Sequence, residues 1–458
     1  MAVAAICIIA APFALNSSKD DIPSAPAASD SALSDIDSIS DSSEDSSAVV
    51  TTTPSVTTTA KNSSKTTTTA KAEETSAAEP TDPSGGQQPS GGGQSGGGQS
   101  GGQSGGGQSG GQSGGGQSGG QSGGGQSIGG IQLPQVAALP APTFASGTPA
   151  AIHGQLSVSG ANIVDKSGQI YQIRGMSTHG IMWEDFSNIL SKDSLRVLRD
   201  DWGCNTIRIA MYTEGYAGYT TGTDFARQAK EKVDTGVANA TDLGMYVIID
   251  WHILSDNNPQ NHQNEAITFF AEMSQKYTNY SNVLYEICNE PNGGTNWDGN
   301  VKPYADAVIP TIRQFDSDAI IICGTPTWSQ DIDKAANNRV ADNNTVYALH
   351  FYANTHTDWL RSRVQSCYNS GLPILVSEFG TCDASGNGGF NAGETQKWFD
   401  LLDSLNIGYL NWSACGKAET ASAFAGGTNL AAIQAGTSQL TESGRIVREH
   451  LRQRAGLQ

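Results

Sequence analysis

The stretch VLYEICNEPNG, residues 283–293, decides the fold. A short apolar run, Val283-Leu284-Tyr285 and then Ile287-Cys288, stops at Asn289-Glu290-Pro291 and a glycine-bearing loop. That is the pattern of a buried strand ending at a polar rim. Pro291 has no N–H to give a sheet ladder and disfavours helix in the residue before it, so the strand ends near Glu290. A carboxylate at the tip of a buried strand, beside a side-chain amide, is a candidate proton donor. Such a donor needs a partner elsewhere in the chain.

Working outward, the same punctuation recurs. Short apolar runs predict strands over 171–176, 206–210, 245–250, 283–290, 319–323, 346–350, 374–378 and 407–412. Between and after them, period-3.6 patterns predict helices over 192–202, 224–243, 264–280, 301–315, 329–338, 359–368, 394–405 and 440–454. Eight strand–helix units in one domain give the α/β class and a (β/α)8 TIM barrel. A doubly wound sheet is the runner-up, weakened because no GxGxxG follows the first strand. Residues 156–171, with Ser-Gly and Lys-Ser-Gly turns, predict a short hairpin ahead of the first strand.

The barrel reading collects the polar strand ends at one rim. They are Ser177-Thr178-His179, Arg208 with Tyr212, Asp250-Trp251-His252, Asn289-Glu290, His350-Phe351-Tyr352, Ser377-Glu378 and Asn411-Trp412. Singly, each has a plain structural explanation. A strand-end His is usually a hydrogen-bonded structural residue, Arg208 can neutralise buried carboxylates, Glu378 can cap a helix and Trp412 can be core. Jointly they predict a site. Glu290 and Glu378 would face each other across the mouth. At a separation of about 5 Å, one can attack an anomeric carbon while the other protonates the leaving oxygen. Arg208 against Glu378 would keep that group ionised, and Tyr352 would hold it in line. Asn289 suits a sugar 2-hydroxyl, and the flat ring of Trp412 suits a pyranose face. Trp183, Trp297 and Trp328 fall in predicted loops, where they could stack further sugars.

Composition bounds the rest. Of the 458 residues, those up to 140 carry 12 acids and 4 bases, and the remainder 33 acids and 22 bases, for a net charge of −19. Two acidic halves argue against nucleic acid or an anionic membrane as partner and suit a neutral substrate. The seven cysteines show no CxxC or zinc-ligand spacing, so no metal site is expected. Cys288 and Cys323 lie in apolar runs and read as buried free thiols, while any pairing of the others stays open.

The N-terminal third reads differently. Residues 1–15 hold an apolar run of signal-peptide length without the usual basic residues before it, hence a signal-like or anchor segment. Residues 16–84 are rich in Ser, Thr, Ala and Asp without periodicity and read as disordered. Residues 85–149 read as a flexible linker of GGGQS and GGQS units with a Pro/Ala-rich end. Its Gly/Gln/Ser part has an r.m.s. span on the order of 35 Å. The folded domain is expected over 150–458. Export is expected, to a secreted or cell-surface-tethered location, with attachment to the cell envelope through the N-terminal segment.

The stretches RGMSTHGIMW, NTIRIAMY, VIIDWHIL, VLYEICNEPNG, GTPTWSQD, ALHFYA, ILVSEFG, LNWSACGKAET and LTESGRIVREHLR resemble glycoside hydrolase family 5, particularly its bacterial endo-β-1,4-glucanase branch. They run in the family's order over about residues 153–455. The resemblance implies a (β/α)8 enzyme that hydrolyses β-1,4-glucan with retention and without a cofactor, and a monomer is expected. It implies Glu290 as acid/base and Glu378 as nucleophile, with Arg208, His252, Asn289, His350, Tyr352 and Trp412 around the cleavage point. His179, Trp183, Tyr212, Lys417 and Glu419 match positions that contact outer sugars, and Trp328 joins the substrate-binding set. Two departures stand out. Met182 occupies a place where relatives often carry Gln, and Glu184-Asp185 make that rim more acidic. Related glycanases acting on mannan, xylan, mixed-linkage glucan or xyloglucan share this chemistry. A barrel that binds carbohydrate without cleaving it is the reading from another class.

Overall fold

The computed structural model describes residues 127–458. The signal-like segment, the 16–84 segment and the linker up to residue 126 lie outside the described residues.

Twelve strands are described. Two short pairs precede the barrel: β1 (Ser127–Ile128) with β2 (Ile131–Gln132), and β3 (Ser157–Ser159) with β4 (Asn162–Val164). The barrel strands are β5 (Arg174–Ser177), β6 (Thr206–Tyr212), β7 (Tyr246–His252), β8 (Val283–Cys288), β9 (Ile321–Cys323), β10 (Thr345–Tyr352), β11 (Ile374–Gly380) and β12 (Gly408–Asn411). Each is parallel to the next, and β12 closes on β5. This is the (β/α)8 barrel expected from the alternation of periods.

The two faces of each strand go to separate cores. Ile207, Ile209, Val247, Ile249, Tyr285, Ile287 and Leu349 pack outward against the helices. Tyr246, Ile248, Leu284, Ile322, Val346, Ala348, Leu375 and Leu410 form a second, enclosed apolar cluster. Leu156 and Ile163 of the hairpin join that cluster, so the hairpin plugs the N-terminal end of the barrel. Buried on both faces, the strands read as near-continuous apolar runs, which is why they were recognisable.

Two boundaries differ from expectation. The first barrel strand begins at Arg174 rather than 171, because the Tyr171 N–H donates to Ile163 O and Ile170 bridges Val164, tying both residues to the hairpin. Within the stretch 127–149, expected as the end of a linker, residues 134–139 are bonded to helix Gln263–Tyr277. Leu133 is buried, the Gln275 side chain accepts from Val136 N–H at 3.2 Å and donates to Pro134 O at 2.8 Å, and Leu139 N–H donates to Lys276 O at 2.9 Å. A Pro/Ala-rich composition carries no periodicity from which such a strap could be read.

Three register shifts interrupt the ladders, at Glu286/Cys288, Ala348/His350 and Val376/Phe379. Bulges re-aim side chains. All three lie on strands that deliver the residues described next.

Candidate active site

At the C-terminal half of the barrel the interior changes from apolar to charged. Arg208, fully buried on β6, is the hub. Its Nε donates to Glu286 Oε2 at 2.7 Å and its Nη2 to Asn289 Oδ1 at 2.6 Å, and Nη2 is also ion-paired with Asp250 Oδ2 at 2.9 Å. Its Nη1 donates to Ser177 Oγ at 3.2 Å and Glu378 Oε2 at 3.3 Å. One cation thus answers three buried carboxylates, which holds its own pKa far above the usual range. The structural reading of Arg208, a cation neutralising buried carboxylates, is the one these contacts describe.

Glu290 follows β8 and is buried with 8% exposure. Its backbone is fixed from two sides. Ser329 Oγ donates to Asn289 O at 2.6 Å, and Trp328 N–H donates to Pro291 O at 3.1 Å. Gly324 permits the approach of the neighbouring segment, since a Cβ there would lie 2.3 Å from Cys288 O. Glu378 comes from β11, where Tyr352 Oη donates to its Oε1 at 2.9 Å. The Tyr352 ring lies over Gly380, whose Cβ would stand 2.2 Å from it. One oxygen of Glu290 and one of Glu378 lie within 4.8 Å of each other, with a nitrogen of His350 within the same distance of both.

Burial raises both carboxyls to about 7. They do not behave alike. Glu378 receives the Tyr352 hydroxyl and the Arg208 guanidinium directly, both of which favour its anion. Glu290 is bonded instead to His350 Nδ1 at 2.9 Å. Burial pushes the His350 pKa down to about 4, so that ring is neutral. When the close pair holds a single proton, these contacts favour Glu290 over Glu378 as its holder.

The remaining predicted residues converge on the same mouth. His252 Nδ1 donates to Asp250 Oδ2 at 2.6 Å, and burial keeps the ring uncharged. Asn289 Nδ2 then donates to His252 Nε2 at 3.3 Å, which orients the amide. The Trp412 ring lies 5.2 Å from His252 at 16°, and Tyr212 lies 4.2 Å from His252. His179 accepts the Gly180 N–H on Nδ1 at 2.7 Å, leaving Nε2–H beside Trp412 and Tyr212. Burial and then Lys417 push its pKa down to about 3. Lys417 and Glu419 are ion-paired at 2.7 Å.

Aromatic rings continue outward on both sides. Trp183 packs at 5.6 Å on Tyr216, itself 61% exposed and not singled out from the sequence. Trp328 is 43% exposed, on a turn in which Thr327, Trp328 and Ser329 all have positive φ. Three non-glycine residues in that region cost about 1–3 kcal/mol each and persist where surrounding bonds over-determine them. Trp297 is a correction: it is buried, its Nε1 donates to Asn338 O at 2.8 Å, and it cannot stack a sugar. Met182 also points away from solvent, in the outer core.

Sequence reasoning passed over Glu286. Its signal was a lone charge inside an otherwise apolar strand, where burial demands a partner. Among the described residues all six cysteines are free and buried.

A (β/α)8 barrel with two close, buried carboxylates at its C-terminal mouth and an aromatic-lined cleft is built as a glycoside-cleaving site. The family model Cellulase (glycosyl hydrolase family 5) matches residues 164–418. An endoglucanase of Clostridium saccharobutylicum is 49% identical over 299 residues, covering 65% of each chain. Endoglucanase N of Pectobacterium atrosepticum is 49% identical over 313 residues, 68% of each. The chain spans about two thirds of the length of these relatives. Among solved structures, cellulase Cel5C_n is 41% identical with a TM-score of 0.64, covering 68% of this chain and 95% of that one. The catalytic domain of Thermobifida fusca endoglucanase Cel5A, in complex with cellotetraose, is 37% identical with a TM-score of 0.62, covering 67% and 100%. The chain belongs to glycosyl hydrolase family 5.

Proposed function

We propose that this protein is an endo-β-1,4-glucanase that cleaves internal bonds of cellulose and related β-glucans with retention of configuration. The observation that carries the reading is the pair of carboxylate oxygens within 4.8 Å. Retaining enzymes place their carboxyls about 5–5.5 Å apart, whereas inverting ones leave about 6.5–9.5 Å for a water.

In the first step a Glu378 oxygen attacks the anomeric carbon while the bond to the leaving oxygen breaks and Glu290 protonates that oxygen. In the second, Glu290 takes a proton from water, the hydroxide adds to the same carbon and the bond to Glu378 breaks. Asn289, oriented by Arg208 and His252, is positioned for the 2-hydroxyl. Trp412 supplies a flat apolar face. Trp183 and Tyr216 on one side and Trp328 on the other suit a chain longer than the cleaved unit. A polymer of this kind is met outside the cell, in keeping with export or surface tethering directed by residues 1–15.

The test is hydrolysis of carboxymethyl-cellulose against mannan and xylan, with the anomer formed followed by proton NMR. Rapid viscosity loss on carboxymethyl-cellulose and a β-product first are expected. Preference for mannan or xylan would reassign the substrate, an α-product first would exclude retention, and no hydrolysis of any β-glycan would leave a binding barrel.

A further inference from the structure

The hydrogen bonds around His350 form a chain whose protons can be counted. Burial raises the Glu286 carboxyl, and against it Arg208 Nε, donating to Oε2 at 2.7 Å, favours the anion. Ser377 Oγ lies 2.6 Å from Glu286 Oε1, a separation of a hydroxyl donating to a carboxylate. Its single proton is thereby spent, and toward His350 Nε2 at 3.0 Å the Ser377 oxygen can only accept. The His350 proton is therefore on Nε2. Since the ring is neutral, Nδ1 is a bare lone pair. It faces Glu290 Oε1 at 2.9 Å, a contact that is favourable only when Glu290 carries the proton.

We infer that Ser377 is a positioning residue that fixes the tautomer of His350 and, through it, keeps the catalytic proton on Glu290. The inference rests on reading Glu290 as the acid/base. It adds a consequence for both steps. Before cleavage the chain loads Glu290 as an acid. After cleavage, the Glu290 carboxylate faces the Nδ1 lone pair, and the repulsion strengthens it as the base that deprotonates water.

Without the Ser377 hydroxyl the Nε2–H has no acceptor within reach, because Glu286 Oε1 is 3.9 Å away and that carboxylate is anchored through its other oxygen, Oε2, by Arg208. The ring is then better served by the opposite tautomer, with Nδ1–H donating to the Glu290 anion and lowering its pKa. The other charged and titratable groups facing Glu290 and His350, namely Arg208, Asp250, His252, Glu286, Tyr352 and Glu378, are unchanged by the substitution.

Nitrogen-15 NMR of His350 in the wild-type protein reads the tautomer without substrate, and Nε2–H is expected. In Ser377→Ala the tautomer should switch to Nδ1–H. The alkaline limb of kcat/KM should move down by on the order of one pH unit. Ser377→Thr, which keeps the hydroxyl, should restore both. An Nδ1–H tautomer in the wild type overturns the inference. So does a Ser377→Ala enzyme that loses activity with limb and tautomer unmoved. Because the tautomer is read without turnover, a failure here is distinguishable from a failure of the glucanase reading.

Discussion

The two halves of the barrel interior are built from the same strands and opposite materials. Toward the N-terminal end, Tyr246, Ile248, Leu284, Val346, Leu375 and Leu410 close an apolar core under the hairpin plug. A few residues further along the same inward faces stand Arg208, Asp250, Glu286, His350 and Ser377, all essentially inaccessible to water. The lower layer is held by area removed from water, at roughly 25 cal/mol per Å². The upper layer is held by mutual satisfaction of charges that each cost several kcal/mol to bury alone. Stability is invested below, and above it is given up so that protons and charges stand where the chemistry needs them.

The sharpest way to break this contrast is at its upper edge. Glu378→Gln and Glu290→Gln should each lower turnover by about 10³-fold or more while leaving the far-UV circular dichroism unchanged. Azide should then separate the roles. With Glu378→Ala it should give an inverted glycosyl azide, and with Glu290→Ala a retained one. Exchanged outcomes would reverse the two assignments.

One layer down, substitutions should affect different quantities. Leu284→Ala in the apolar half should cost about 2–5 kcal/mol in denaturant unfolding, with kcat of the folded fraction unchanged. Arg208→Met should cost about 3–5 kcal/mol, because three buried carboxylates lose their cation, and should also abolish activity. A Leu284→Ala enzyme with lowered kcat at full folding would show that the halves are not independent.

That division also explains what could be read from the chain alone. The barrel was legible because strands buried on both faces and amphipathic helices have different periods, and because VLYEICNEPNG ends so abruptly. The polar strand ends were legible as a set, since each interrupts an apolar run at the same level. Glu286 was not, because a single charge inside such a run reveals neither its partner nor its direction. Trp297 was misplaced because a tryptophan in a predicted loop looks exposed until Tyr347 and Asn338 are seen to enclose it. The strap over 134–139 was hidden for a similar reason: its bonds to Gln275 and Lys276 join residues roughly 140 positions apart.

A smaller effect tests how finely the upper layer is fitted. Gly380→Ala would put a methyl group 2.2 Å from the Tyr352 ring, which must move and loosen its hydrogen bond to Glu378. A fall in kcat of about 10–100-fold is expected, with a smaller change in KM. Unchanged kcat would mean that Arg208 alone suffices to hold the nucleophile.

The smallest expected change carries the sign of the whole comparison. Burial raises the Glu290 carboxyl from its ordinary 4.5 to about 7. A carboxyl raised in the folded state contributes its full stability below the unfolded value and loses it as pH rises through the folded value. The wild-type protein should therefore lose stability between about pH 4.5 and 7 on account of this group. Glu290→Gln has no proton to lose, and its amide can still donate to His350 Nδ1. Its melting temperature should match the wild type near pH 4.5 and exceed it by a few degrees at pH 8. A variant no more stable at pH 8 than at pH 4.5, relative to wild type, would mean that Glu290 is not held at an energetic cost. The upper half of the barrel would then be as relaxed as the lower, and the contrast between them would be one of composition alone.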